Sequence, residues 1–168
     1  MEARYDASAA LGGQGHQEEA DVAQEKLAAL VSQYPVVIAY APLRTEVAFS
    51  SFLPNIGGRV YEIPARAAID PIKEALETIA FANDESACIL MPGRRFDASG
   101  TRHGQGGGWY DRFLARVPAE WLRIGFCFDD QFSSTPLPRE SWDQVMDYVA
   151  VVARDTNTLT LHATDARS

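Results

Sequence analysis

Between Pro92 and Arg112 the chain gathers glycine and arginine at a density it reaches nowhere else. Five of its twelve glycines, Gly100, Gly104, Gly106, Gly107 and Gly108, fall within residues 100–108 of this stretch. So do Arg94, Arg95, Arg102 and Arg112, against only two acids, Asp97 and Asp111. A backbone without Cβ atoms lets N–H groups approach and surround an anion, and a helix that starts there turns its positive end toward it. Arginine adds planar, paired contacts to phosphate oxygens. Asp111, at the end of the stretch, offers a hard oxygen ligand for a Mg²⁺ that bridges phosphates. The chemistry this composition suits is polyphosphate binding. The plainer reading is a glycine-rich turn with solvated arginines, and the density of both residue types counts against it. No Gly-Lys-Ser/Thr closes the stretch, so it is not a P-loop. It is not the first strand–helix turn either, so the dinucleotide fingerprint does not apply.

Such a loop needs a strand before it and a helix after it. Ala87 to Met91 is a continuously apolar run closed by Pro92-Gly93, and Trp109 to Val117 has a helical pattern. Val36 to Tyr40, Arg59 to Ile63, Leu122 to Phe128 and Tyr148 to Val152 read as further strands, and Thr158 to His162 as a sixth. Glu18 opens a helix that Pro35 ends, with Val22, Leu27, Leu30 and Val31 toward one face and acids loading its first half. Asp70-Pro71 opens another, with Asp as N-cap and Pro at the first helical position; Ile72, Leu76, Ile79 and Ala80 supply its apolar stripe. Residues 46–54 read as a short helix. Residues 1–17 read as a loose N-terminal arm, with one α/β domain over 18–168. Strands alternating with helices imply a three-layer α/β/α fold around a mostly parallel sheet. Ligands in such folds bind beyond the C-terminal strand ends, which directs attention to the loops after Tyr40, Met91 and Phe128.

The chain has 168 residues, 46% of them hydrophobic, and a net charge of −8. That supports one globular core and argues against nucleic acid binding through a basic face. No apolar run approaches a membrane span, and no secretory leader is visible at the N-terminus. The two cysteines, Cys88 and Cys127, each sit in an apolar run, as buried reduced thiols do. A cytoplasmic location and a monomer or weak homodimer are the corresponding expectations.

The stretch Pro92-Gly93…Phe96-Asp97…Gly100…Arg102…Gly104…Gly106-Gly107-Gly108-Trp109-Tyr110-Asp111-Arg112-Phe113-Leu114 resembles the signature of the 5-formyltetrahydrofolate cyclo-ligase (5,10-methenyltetrahydrofolate synthetase) family. Leu137-Pro138-Arg139-Glu140-Ser141-Trp142-Asp143 and Asp147 are similar to the family's C-terminal motif. The resemblance implies an ATP- and Mg²⁺-dependent ligase that converts 5-formyltetrahydrofolate to 5,10-methenyltetrahydrofolate, or a related ligase on an altered substrate. By position it implies that Arg102, His103, Gly104, Gln105, Gly106, Gly107, Gly108, Trp109, Tyr110 and Arg112 hold the ATP phosphates, with Arg102 and Tyr110 at the reacting groups. Glu46, with Gln105 to Trp109, would border the reduced folate, and Asp111 and Asp143 would hold Mg²⁺. Trp109 and Tyr110 suit stacking on a pterin or adenine and suit anchoring their helix equally well. Glu46 reads equally as an exposed acid at a helix start, and His103 as a surface side chain without a proton role.

The chain departs from the family in several places. It lacks the N-terminal Lys-x-x-Leu-Arg pattern, and Arg4, Arg44, Arg94 and Arg95 are the bases able to replace it. Ala48 stands where an acid is expected, and Trp142 where the family has His. The alternative from another class is a non-catalytic binding protein that keeps the anion loop for a phosphorylated or folate-like ligand. A base directed into the glycine loop favours the ligase.

Overall fold

The structure is a computed structural model that describes residues 7–64 and 69–167. Five parallel strands form the body of the sheet: β1 (Val36–Tyr40), β2 (Arg59–Ile63), β3 (Ala87–Pro92), then β6 (Leu122–Phe128) and β8 (Tyr148–Val152), with the antiparallel β9 (Leu159–Ala163) closing one edge. Their order is β2-β1-β3-β6-β8-β9. The apolar, β-branched runs become central strands because both faces are covered. Val36, Ile38, Ile89 and Met91 point to one face, where α2 (Pro71–Ala82) and α3 (Trp109–Leu114) pack. Val37, Ala39, Cys88 and Leu90 point to the other, against Leu27 and Val31 of α1 (Ala7–Ser32). The expected three-layer α/β/α architecture is the one observed.

Helix α1 begins at Ala7 rather than Glu18, so residues 7–17 of the expected loose arm are helical, while residues 1–6, including Arg4, lie outside the described residues. Ala7, Ala9, Ala10 and Leu11 favour helix, and lengthening an existing helix needs no new nucleus. Val22 is exposed, and Leu27 with Val31 makes the buried contact. Helix α2 starts as read, with the Asp70 carboxylate accepting from the backbone of Ile72 and Lys73, but it is rotated from its expected stripe. Ile72 and Leu76 face solvent, whereas Glu74, Ala75, Thr78 and Ala82 are buried. Two hydrogen bonds make this tolerable: the Tyr61 hydroxyl donates to Glu74 Oε1 at 2.7 Å, and Thr78 Oγ1 donates to the Ala75 carbonyl at 2.9 Å. The expected helix at 46–54 is only a 3₁₀ turn over Phe49–Ser51. Helix α3 stops at Leu114 instead of Val117.

Part of what reads as one long loop folds into a second, small sheet, completed by a strand from beyond β6. It is formed by β4 (Arg95–Asp97), β5 (Arg102–His103) and β7 (Phe132–Ser133), in the order β5-β4-β7. Phe96 fastens it to the main sheet. Its ring is fully buried, and a Cβ at Gly125 of β6 would overlap it. Gly125→Ala should therefore destabilise the protein by about 1–3 kcal/mol, the usual cost of overpacking. Urea unfolding measures this, and parent-like stability would mean the ring is not seated there.

Cys88 and Cys127 are both free and buried, as expected. Burial pushes both thiols up, Cys127 to about 12, so neither supplies a thiolate near neutral pH.

Candidate active site

The glycine-rich segment opens onto a cleft of about 850 Å³ at the C-terminal ends of β1, β3 and β6. All three expected loops reach it, through Ala41, Gly93 and Gln131. A second hollow of about 480 Å³ lies between α1 and residues 52–57 and holds none of the expected site residues.

Arg102 is the centre of the cleft floor. It is only 8% exposed. Its Nε donates to the Pro92 carbonyl at 2.6 Å, and its guanidinium carbon lies 4.7 Å from the centre of the Tyr110 ring. Among the described residues, no carboxylate lies within ion-pair distance of it. Burial lowers its pKa, opposed by Tyr110, Asp111 and Glu46, yet an arginine keeps its charge in a protein. A buried cation is costly unless something neutralises it, and an anion in the cleft would do so. Gly104 lies directly against this side chain, since a Cβ there would sit 3.0 Å from Arg102 Nη2. Burial pushes the Tyr110 phenol up to about 12 against the opposing pull of Arg102. The phenol is therefore protonated near neutral pH and acts as a donor.

Beyond Gly104 the segment rises over the cleft. Gly106 and Gly108 have φ of +100° and +63°, and no atom lies within 4 Å of where their Cβ atoms would be. The left-handed backbone favours glycine there, and the missing side chains leave the cleft open. Gln105, Gly107 and Trp109 also line it. Trp109 stacks on Phe113 with centroids 5.5 Å apart and donates its indole N–H to the Ile69 carbonyl at 3.1 Å, so it anchors α3 as well as lining the cleft. Arg112 is exposed and turned back on its own loop, its Nη2 donating to the Gly107 carbonyl at 3.0 Å and its Nε to that of Gly108 at 3.3 Å. His103 lines the cleft but engages the Pro138 carbonyl through Nε2 at 2.7 Å.

Two carboxylates face the cleft beside the glycines. Asp111 Oδ1 accepts from the Gln144 backbone N–H at 3.0 Å. Asp143 Oδ2 accepts from the Glu140 N–H at 2.8 Å. The first of these bonds carries the C-terminal motif to α3 and so brings both acids to one side. Each keeps its second oxygen free of hydrogen bonds among the described residues, where no cluster of three or more potential metal ligands occurs. Two hard oxygens beside an anion pocket match the way Mg²⁺ is held, by one or two carboxylates with substrate phosphates and water. Asp97 braces this region from below. Burial would raise its pKa, but hydrogen bonds from Leu137 N, from Ser99 and from Thr101 N outweigh that and hold it below the usual carboxylate range.

Glu46 also lines the cleft, as do Tyr40, Ile63 and Pro64, and its Oε1 accepts from Leu43 N at 2.8 Å. Of the bases able to replace the missing N-terminal pattern, Arg94 lines the cleft, and Arg44 and Arg95 do not. Sequence reasoning missed Trp142, which is 67% exposed on the cleft rim. Its place beside Asp143 was the available signal.

The model of the 5-formyltetrahydrofolate cyclo-ligase family matches residues 64–152. The chain belongs to the 5-formyltetrahydrofolate cyclo-ligase family. It is an enzyme of the cyclo-ligase type, and the matched span contains the whole of the glycine segment and both cleft aspartates. A 5-formyltetrahydrofolate cyclo-ligase of Mycoplasma pneumoniae is 25% identical over 134 residues, covering 74% of this chain and 79% of that protein. One of Mycoplasma genitalium is 31% identical over 62 residues, 37% of this chain and 36% of that protein. Two solved structures share the fold. A 5,10-methenyltetrahydrofolate synthetase from Mycoplasma pneumoniae superposes with a TM-score of 0.54 at 20% identity, over 82% of this chain and 85% of that one. The synthetase of Aquifex aeolicus does so with 0.54 at 21% identity, over 92% and 84%.

Proposed function

We propose that this cyclo-ligase uses ATP and Mg²⁺ to convert 5-formyltetrahydrofolate to 5,10-methenyltetrahydrofolate. The observation that carries this reading is the buried Arg102 under the glycine segment, without an ion-paired carboxylate among the described residues, a positive charge that the polyphosphate would complete. The formyl oxygen attacks the terminal phosphorus and ADP leaves. N10 then attacks the activated formyl carbon and gives up its proton to the phosphate, which departs from that carbon with the C–O electron pair and leaves the methenyl bridge between N5 and N10. In this scheme the protein positions the two substrates and stabilises charge, which is the main task in phosphoryl transfer.

Placement in the cleft supports the following roles. Arg102 holds phosphate oxygens from below, and the protonated Tyr110 phenol donates from the same side. The backbone of residues 104–108 covers the phosphates, and Arg94 reaches them from the rim, supplying the charge that the N-terminal pattern lacks. His103 and Arg112 act on the loop: one ties it to Pro138, the other to the carbonyls of Gly107 and Gly108. Asp111 and Asp143 would hold Mg²⁺, which would supply neutralisation of the phosphate charge. Glu46 faces the folate, where its free oxygen can accept from the amino-pyrimidinone edge of the pterin.

The test is an absorbance assay with purified protein, 5-formyltetrahydrofolate, ATP and Mg²⁺. Growth of the near-ultraviolet band of the methenyl product that requires ATP supports the proposal. Absence of that band, alongside calorimetric binding of nucleotide, would overturn it in favour of a binding protein that has lost the chemistry.

A further inference from the structure

Among the described residues, Trp142 is the one aromatic of the strongly exposed large hydrophobic side chains. It is not on a random part of the surface. Its ring stands at the rim of the cleft, next in sequence to Asp143. The backbone that carries it is fixed. Asp143 N donates to the Glu140 carbonyl at 3.2 Å while Asp143 Oδ2 accepts from Glu140 N at 2.8 Å, closing a turn around Ser141 and Trp142. Gln144 then binds Asp111 through its N–H and the Trp142 carbonyl through its side chain, at 3.0 and 3.4 Å. The indole itself has neither a stacking nor a hydrogen-bonding partner among the described residues, unlike Trp109, which has both. A wide apolar ring on a pinned turn, left open toward a cleft, is an unfilled stacking surface.

We propose that Trp142 is the platform on which the nucleobase of the ATP stacks. The inference rests on the nucleotide reading given above and adds the residue that holds the base. Two chemically distinct sets of residues line the cleft. One is Glu46 with Tyr40, Ile63 and Pro64, a carboxylate among apolar surfaces, which suits an amino-pyrimidinone ring. The other is Asp111 and Asp143, brought together by the Asp111–Gln144 bond, the oxygens suited to a metal–phosphate group. Trp142 goes with the second set, because it stands in the turn closed by Asp143. A base joined through ribose to phosphates held by a metal at Asp143 would approach the adjoining ring. At about 850 Å³ the cleft has room for both substrates. Stacking accepts any purine face, so this residue contributes affinity for the base rather than choice among bases.

The test compares three probes on the full chain by calorimetry: ATP with Mg²⁺, tripolyphosphate with Mg²⁺, and 5-formyltetrahydrofolate. Trp142→Ala should weaken ATP by about 5- to 100-fold, the range of one lost base–aromatic stack. Tripolyphosphate and the folate should bind as they do to the parent, and Trp142→Phe should recover most of the ATP affinity. The indole gives an independent reading. ATP should change the parent's tryptophan fluorescence by more than tripolyphosphate does, and the Trp142→Phe variant should lose that excess. Unaltered ATP affinity in Trp142→Ala would overturn the proposal. So would weakened folate binding with ATP unaffected, which would put the ring under the pterin. A parent that binds neither ATP nor tripolyphosphate would overturn the nucleotide reading itself, a result distinct from either.

Discussion

Arg102→Ala should all but abolish nucleotide binding. Arg102 is the buried cation at the centre of the cleft floor, and its Nη atoms lie under Gly104, where the phosphates would rest. Each charge-assisted contact it makes with a phosphate oxygen contributes about 1.5–3 kcal/mol, so losing a pair of them weakens ATP by roughly 100-fold or more. The alanine variant also loses the Nε bond to the Pro92 carbonyl and the packing on Tyr110, so a second variant is needed. Arg102→Lys keeps a positive charge but not the planar fork. It should bind ATP more weakly than the parent and more tightly than Arg102→Ala. Calorimetry with ATP, and urea unfolding of all three proteins, separates lost binding from lost fold. Parent-like affinity in a folded Arg102→Ala protein would remove the phosphate assignment.

Asp111→Asn and Asp143→Asn should each strip the Mg²⁺ dependence from nucleotide binding and turnover. Asparagine is the informative substitution because its side-chain oxygen still accepts the backbone bonds from Gln144 and Glu140. What it removes is the negative charge. A carboxylate ligand to a divalent ion at a phosphate centre is worth several kcal/mol, so turnover should fall by about 10²-fold or more in each variant. The ATP affinity of the double variant should no longer rise with added Mg²⁺. If both single variants respond to Mg²⁺ as the parent does, the metal is held elsewhere.

The strands were readable because their signal is local. Val36 to Tyr40 is apolar at every position and Leu122 to Phe128 at every position but Arg123, and a run of that kind is stable only between two covered faces. The start of α2 was readable for the same reason, since Asp70 and Pro71 act within one turn. The candidate site was also largely visible, because five glycines and an arginine within nine residues is a local composition. The rotation of α2 was not visible. Ile72 and Leu76 look like a core stripe, but the sheet and α3 take Glu74, Ala75 and Thr78 instead, with the hydroxyl of Tyr61 on β2 meeting one oxygen of the buried Glu74.

Within the site the division is the same. Residue types and spacing along the chain were enough to nominate Arg102, the glycines, Asp111 and Asp143. They could not say that Arg102 is buried without a carboxylate, that Arg112 folds back on its own loop, or that Arg94 and Trp142 stand in the cleft. Those outcomes depend on contacts between distant segments: Asp97 with Leu137, His103 with Pro138 and Asp111 with Gln144, separated by 40, 35 and 33 residues. Backbone propensity and hydrophobic period act over a few residues and are written in the order of the chain. The direction a charged side chain takes is set by whatever surface the folded sheet brings against it, and that surface exists only once the chain has closed.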